Sequence, residues 1–161
     1  MNRIGDNLHH FGPNEELVRA LISVGVEFIV VGGLGVSWRC PVRKADDMDI
    51  LVSPTPDNSE RVSSALTSLR LSGHTPSSFT RPGLQVPFKQ FHHAELLTPC
   101  ASGPTFAEVA ADATHAKLFN ISVKLASPAS LIRMKRLAVE AAEEQRDKHL
   151  ADIQCLEQHA A

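Results

Sequence analysis

The chain has 161 residues, 43% of them hydrophobic and 21% charged, with a formal net charge of -2. This is the size and composition of one ordinary globular domain, able to bury roughly two thirds of the surface its unfolded form exposes. The slight negative charge excludes a global attraction to polyanions, and no apolar run approaches the ~20 residues of a membrane span; Met1 to Pro13 lacks the basic-then-apolar order of a signal peptide, so a cytoplasmic protein is expected.

Asn14 to Val24 predicts a first helix, because Leu17, Ala20, Leu21 and Val24 recur at spacings of three and four and Asn14 is available as N-cap. Gly25 ends it. Glu27 to Val31 is a β-branched and aromatic run of strand length that stops at Gly32-Gly33. Leu34, Val36, Ser37 and Trp38 then predict a short helix closed by Pro41, which disfavours helical backbone at Cys40. Met48, Ile50 and Val52 alternate with Asp47, Asp49 and Leu51 in a second strand, terminated by Pro54 and Pro56. Asp57 is the expected cap of a third helix running to Leu71, with Val62, Ala65, Leu66 and Leu69 on its apolar face.

Gly73 to Gly83, rich in Ser, Thr, Pro and Gly, predicts an exposed loop. Leu84 to Phe88 and Phe91 to Leu97 read as two strands joined at Lys89-Gln90, and Ala116 to Phe119 with Ile121 to Leu125 as a further pair. From about residue 127 the chain is helical. Ser127 is the N-cap and Pro128 the first helical residue of a helix to about Ala142; another, from about Glu144 to His159, is expected to bury Leu150, Ile153 and Leu156. Strands between flanking helices, with no internal repeat, predict a mixed α/β (α+β) architecture in a single domain, residues 1–161. Cys40, Cys100 and Cys155 are far apart, odd in number and form no C-x-x-C pair, which predicts ordinary thiols.

The residues with most chemical promise are Asp47 and Asp49. Two positions apart in a strand, their side chains share a face and can share divalent cations. Transfer of a nucleotidyl group needs that arrangement, since ions roughly 4 Å apart neutralise the triphosphate and stabilise both the attacking and leaving oxygens. Oxygen-only ligands favour magnesium or manganese. An isolated D-x-D is more often a turn former or a solvated charge. Gly32-Gly33 adds weight, because bare backbone N–H groups between a strand and a helix can hold phosphate oxygens, although a plain tight turn explains two glycines equally well.

Taken together, FIVVGGLGVSWRCPVRKADDMDILV, from Phe28 to Val52, resembles the signature of the DNA polymerase β-like nucleotidyltransferase superfamily. The likeness is closest to small bacterial members, the AbiEii-type toxin group and the short antibiotic nucleotidyltransferases. It continues in LIRMKRLA and RDKHLADIQCL, which look like that family's C-terminal segments. The resemblance implies a nucleotidyltransferase fold and magnesium (or manganese) as cofactor. It makes Gly32 and Gly33 the triphosphate-binding turn, Asp47 and Asp49 metal ligands and Arg43 a phosphate or acceptor contact. Lys135 and Lys148 would approach the phosphates, supported by Asp152. A third carboxylate, to complete the metal site and take the acceptor proton, is expected at Glu95. Three positions depart from the pattern: Ala45 where many relatives have Thr, Glu95 where Asp is usual, and His149 where Asp is frequent.

Other features have competing readings. Asp46 should face away from its neighbours as a solvated acid. His92, His93 and Glu95 invite zinc, but on a strand only His93 and Glu95 would share a side. Arg39, Arg43 and Lys44 form one basic patch and Arg133, Lys135 and Arg136 a second, which a solvated helix face explains as well as a polyanion does. Trp38 suits packing better than base stacking.

The functional expectation is transfer of a nucleoside monophosphate from a nucleoside triphosphate to an acceptor hydroxyl of RNA, protein or a small molecule. A toxin-like enzyme would have an antitoxin partner, and an antibiotic-modifying enzyme would not. A non-catalytic nucleotide-binding module of the same fold is the alternative outside enzymology.

Overall fold

The computed structural model describes residues 13–40, 45, 47–88, 92–141 and 146–159. The first helix, α1 (Pro13–Ser23), buries Leu17, Val18 and Leu21 at the spacing carried by the sequence. Asn14 lies inside α1 and does not cap it; its buried side-chain amide donates to the carbonyls of His92 and His93 at 2.5 and 3.0 Å. The chain leaves the helix at Gly25, whose φ is +74.

Strand β1 (Phe28–Val31) is buried on both faces. Helix α2 (Gly32–Arg39) begins on the two glycines themselves, so they form its first turn and do not precede it. After β2 (Met48–Val52) comes α3 (Pro56–Ser68), capped by Thr55 and not by Asp57: the Thr55 hydroxyl accepts from the Asn58 N–H at 3.3 Å. Pro56, with its φ already set for helix, starts the helix two residues earlier than an Asp57 cap would.

The 73–83 segment corrects the expectation of a plain exposed loop. A single 3-10 turn, Ser78–Thr80, drives Phe79 into the core, fully buried. The Ser59 hydroxyl holds it there, accepting from the Phe79 N–H at 3.0 Å and donating to the Pro76 carbonyl at 2.7 Å. One aromatic among polar residues has no periodicity, which is why composition alone places it outside.

Strands β3 (Gln85–Phe88) and β4 (Ala94–Leu97) pair antiparallel; the expected Lys89-Gln90 connection lies outside the described residues. A short helix the sequence analysis missed, α4 (Phe106–Ala111), opens on a capping box in which Thr105 and Glu108 satisfy each other's backbone N–H groups. Strands β5 (Thr114–Leu118) and β6 (Ile121–Leu125) form a hairpin through Phe119-Asn120, whose φ values of 53 and 64 belong to the two-residue turn that matches strand twist. Helix α5 (Pro128–Ala141) is capped by Ser127, which accepts from the Ser130 N–H at 3.1 Å. In α6 (Arg146–His159) Ile153 and Leu156 are buried, but Leu150 is 45% exposed. The inward stripe runs through His149, Asp152, Ile153 and Leu156, at i, i+3, i+4 and i+7, which leaves Leu150 to one side.

Among the described residues six strands make one mixed sheet in the order β3-β4-β2-β1-β6-β5, with β1–β2 antiparallel and β2–β4 and β1–β6 parallel. Alternation along β1 and β2 feeds two cores. Phe28, Val30, Met48, Ile50 and Val52 pack with Leu17 and Leu21 of α1 and Val62 and Leu66 of α3. Ile29, Val31 and Leu51 pack with Val36 of α2, Leu131 of α5 and Leu156 of α6. Among the described residues no helix is long and apolar enough to cross a membrane.

Two of the three cysteines are not ordinary thiols. Cys40, just beyond α2, is bonded to Cys155 on α6 across a sequence separation of 115, with Cα atoms 6.3 Å apart. The meeting of α2 with α6 in the second core has no local signature, so spacing does not reveal it. Cys100 remains a free, exposed thiol.

Asn58 locks the two central strands together from α3. Its Oδ1 accepts from the Glu27 N–H at 2.7 Å, and its Nδ2 donates to the carbonyls of Glu27 and Ser53 at 3.1 and 2.9 Å. Asn58→Ala is expected to lower stability by about 1–3 kcal/mol, since the Ser53 carbonyl and the Glu27 N–H lose the amide, while the Glu27 carbonyl still accepts from the Ser53 N–H. The check is the urea midpoint; an unchanged midpoint would show that water replaces all three bonds.

Candidate active site

Strands β2 and β4 run parallel with Asp49 directly opposite Glu95, so both carboxylates leave the sheet on the same face, the face of Leu51 and Leu97. Asp47 stands one residue before β2, and all three acids are partly exposed. On the other flank of β2, Asp49 is opposite Val31, the residue before Gly32. Gly32 has φ +64, and a Cβ built on it would lie 2.7 Å from both Cβ and Cγ of Asp49 and closer still to a carboxylate oxygen. Only a residue without a side chain lets the start of α2 approach that carboxylate so closely. Gly33 follows in the same first turn.

The C-terminal helices bring a second group together. The Lys135 ammonium on α5 pairs with Asp152 of α6 at 3.1 Å, their side chains only 10% and 5% exposed, and it contacts His149 Nδ1 at 3.3 Å. Lys135, His149, Gly32 and Asp49 all line one cavity of about 450 Å³, whose wall is otherwise largely apolar and includes Leu97 and Met134. That volume falls in the range of small-molecule sites. Asp47, Glu95 and Gly33 do not line it. Lys148 is exposed on α6 and does not line it either, whereas its neighbour His149 does. Arg43, with Lys44 and Asp46, lies outside the described residues, as does the Trp38 side chain.

Asp47, Asp49 and Glu95 offer hard carboxylate oxygens, the type that magnesium and manganese take. Asp49 and Glu95 share a face, and the Gly32 cradle keeps one carboxylate beside bare backbone. Among the described residues, no three His, Cys, Asp or Glu side chains are gathered closely enough to hold an ion jointly. The fit is therefore one of donor type and placement, without a finished cage. For zinc, His92, His93 and Glu95 form no such group either; the alternation argument does not apply to the histidines, because β4 starts at Ala94 and His93 has φ 47. His92 is buried, and that burial pushes its imidazole below the ordinary value of 6.5, with Glu16 pulling it up and His93 pushing it further down.

The second basic patch separates into individual partners. Arg133 pairs with Glu108 of α4 at 3.3 Å and Arg136 with Glu157 of α6 at 2.9 Å, all exposed, while Lys135 points inward. The backbone and side-chain hydrogen bonds of Thr105, with Arg133, hold the Glu108 carboxyl below the usual range. The site residue whose importance the sequence analysis underrated is His149, treated there only as a departure. Its i, i+3 relation to Asp152 was the available signal.

No protein-family model matches the chain, and no curated protein sequence does. Among solved structures, it is similar to the crystal structure of an antigenic nucleotidyltransferase-like protein from Paracoccidioides brasiliensis. The TM-score is 0.52 and the identity 20%, over 89% of this chain and 74% of the other. With its six-stranded mixed sheet and flanking helices, the chain has the fold of a nucleotidyltransferase-like protein.

Proposed function

We propose that the protein is a divalent-cation-dependent nucleotidyltransferase, moving a nucleoside monophosphate from a nucleoside triphosphate to an acceptor hydroxyl. The observation that carries this reading is the position of Asp49: against Gly32 at the start of α2, level with Glu95, and in the wall of the cavity that Lys135 and His149 also line.

In this reading the N–H groups at Gly32 and Gly33, unsatisfied at a helix start, receive phosphate oxygens, and the Lys135 ammonium offsets their charge. Arg43, which precedes β2 in sequence, and Lys148 on α6 would add further positive charge. The acceptor oxygen attacks the α-phosphorus and forms a new P–O bond as the bond to the bridging oxygen breaks. Pyrophosphate leaves, and the acceptor proton passes to Glu95. Magnesium or manganese would need Asp47 and Glu95 to close in around Asp49, since the three acids are not gathered as they stand, and would supply neutralisation of the triphosphate and of the leaving pyrophosphate.

Incubation with each α-labelled triphosphate, magnesium and a cell extract is expected to give a labelled product. Asp47→Ala and Asp49→Ala should reduce labelling by about 100-fold or more. Equal labelling by wild type and both variants would sink the catalytic assignment. The C-terminal likeness favours a toxin-like enzyme with an RNA or protein target and an antitoxin partner, and the short chain favours an antibiotic-modifying one. Growth arrest on expression, relieved by Asp49→Ala, marks the first; raised drug resistance without arrest marks the second. The departures at Ala45, Glu95 and His149 carry the non-catalytic reading, which calorimetric triphosphate binding without any transfer would support.

A further inference from the structure

His149 stands at a position treated so far as a departure, yet it lines the cavity beside Lys135 and Asp49. Its ring lies in a defined chemical setting. Lys135 Nζ is 3.3 Å from His149 Nδ1, and a lysine ammonium has donors only, so Nδ1 is the acceptor of that hydrogen bond. A histidine that accepts at Nδ1 is neutral and carries its proton on Nε2. Lys135 is fixed in turn by Asp152 at 3.1 Å, with both side chains nearly excluded from water. The i, i+3 spacing of His149 and Asp152 on α6 presents both to the same lysine of α5. A buried, paired cation thus sets the tautomer of a cavity-wall imidazole.

We propose that His149 is a ligand-binding residue that donates its Nε2–H to an anionic oxygen of the triphosphate, with Lys135 and Asp152 as the residues that position it. The inference rests on the nucleotide reading above and adds a donor to it. An aspartate at the same place would bring a second negative charge to the wall near Asp49, whereas the neutral imidazole adds a donor without adding charge.

The test uses full-length protein with a non-hydrolysable nucleoside triphosphate and magnesium, measured by calorimetry, with nitrogen-15 spectra of labelled histidine read in parallel. Loss of a hydrogen bond to a charged group is expected to weaken binding about tenfold or more in His149→Phe. His149→Asn, which keeps an acceptor near Lys135 but has no group at the Nε2 position, should weaken it similarly. His149→Gln, which places an amide N–H near that position, should recover most of the affinity. The His149 signals, assigned by their loss in His149→Asn, should show protonation at Nε2 and should shift on addition of the triphosphate. Wild-type binding with unchanged affinity in His149→Phe would overturn the role of His149 and leave the nucleotide reading standing. An Nδ1-protonated ring would overturn the positioning by Lys135 whatever the binding result. Failure of the folded wild type to bind any triphosphate would overturn both.

Discussion

Gly32→Ala is expected to destabilise the protein by about 3 kcal/mol and to abolish nucleotidyl transfer. Two costs combine. An alanine at φ +64 is strained by about 1–2 kcal/mol, and its methyl group would overlap Asp49, 2.7 Å from Cβ and Cγ, a form of overpacking that costs about 1–3 kcal/mol. Gly25→Ala separates the two, because Gly25 has φ +74 but nothing within 4 Å of the added carbon. It should lose only the backbone share and keep its activity. Denaturant midpoints and labelled transfer for both variants are the measurements. Equal losses at the two positions would mean that the contact between Gly32 and Asp49 is unimportant.

The second large effect is expected at Lys135 and Asp152. Asp152→Ala leaves a buried ammonium without its carboxylate, and removing one partner of such a pair costs about 3–5 kcal/mol. Lys135→Met should cost a similar amount by stranding the carboxylate. The double variant Lys135→Met/Asp152→Leu should regain most of that stability, because two apolar residues fill the space without desolvating charge. It should nevertheless bind no triphosphate. Stability would then be separated from function at one pair of residues. A double variant as unstable as the singles would show that the pair serves a wider network than the distances reveal.

The elements with strong local signals were legible in the sequence. The β1 run, the alternation of β2, the Ser127-Pro128 start of α5 and the pair of strands β5 and β6 were all placed within a few residues. Where the sequence misled, nonlocal packing decided the outcome. Phe79 is held inward by a hydroxyl of α3, Cys40 meets Cys155 because two helices share a core, and Leu150 is exposed because the inward stripe of its helix runs through His149, Asp152, Ile153 and Leu156. Helix α4 was readable and was missed, since Thr105 and Glu108 stand at capping-box spacing in a stretch otherwise short of periodicity. At the candidate site, D-x-D and Gly-Gly were visible as patterns, but the contact of Asp49 with Gly32 depends on the β1–β2 register. Resemblance pointed to Lys135 as a phosphate contact and to Asp152 as its support, but their ion pair emerges only from the packing of α5 on α6, and His149 became interesting only when its neighbours were in place.

The register of β4 against β2 gives two residues without any chemistry a hold over the candidate site. Side chains alternate along a strand, so sliding β4 by one position would turn Glu95 toward α1 and α3 and set an apolar side chain beside Asp49. Ala94 and Leu96, fully buried on the far face, oppose that misalignment, because the slip would drive a carboxylate into the oily layer they occupy. Enlarging Ala94 or truncating Leu96 would thus loosen the alignment of two acids that neither residue touches through the sheet. The fidelity of the carboxylate face is kept by the opposite side of the sheet.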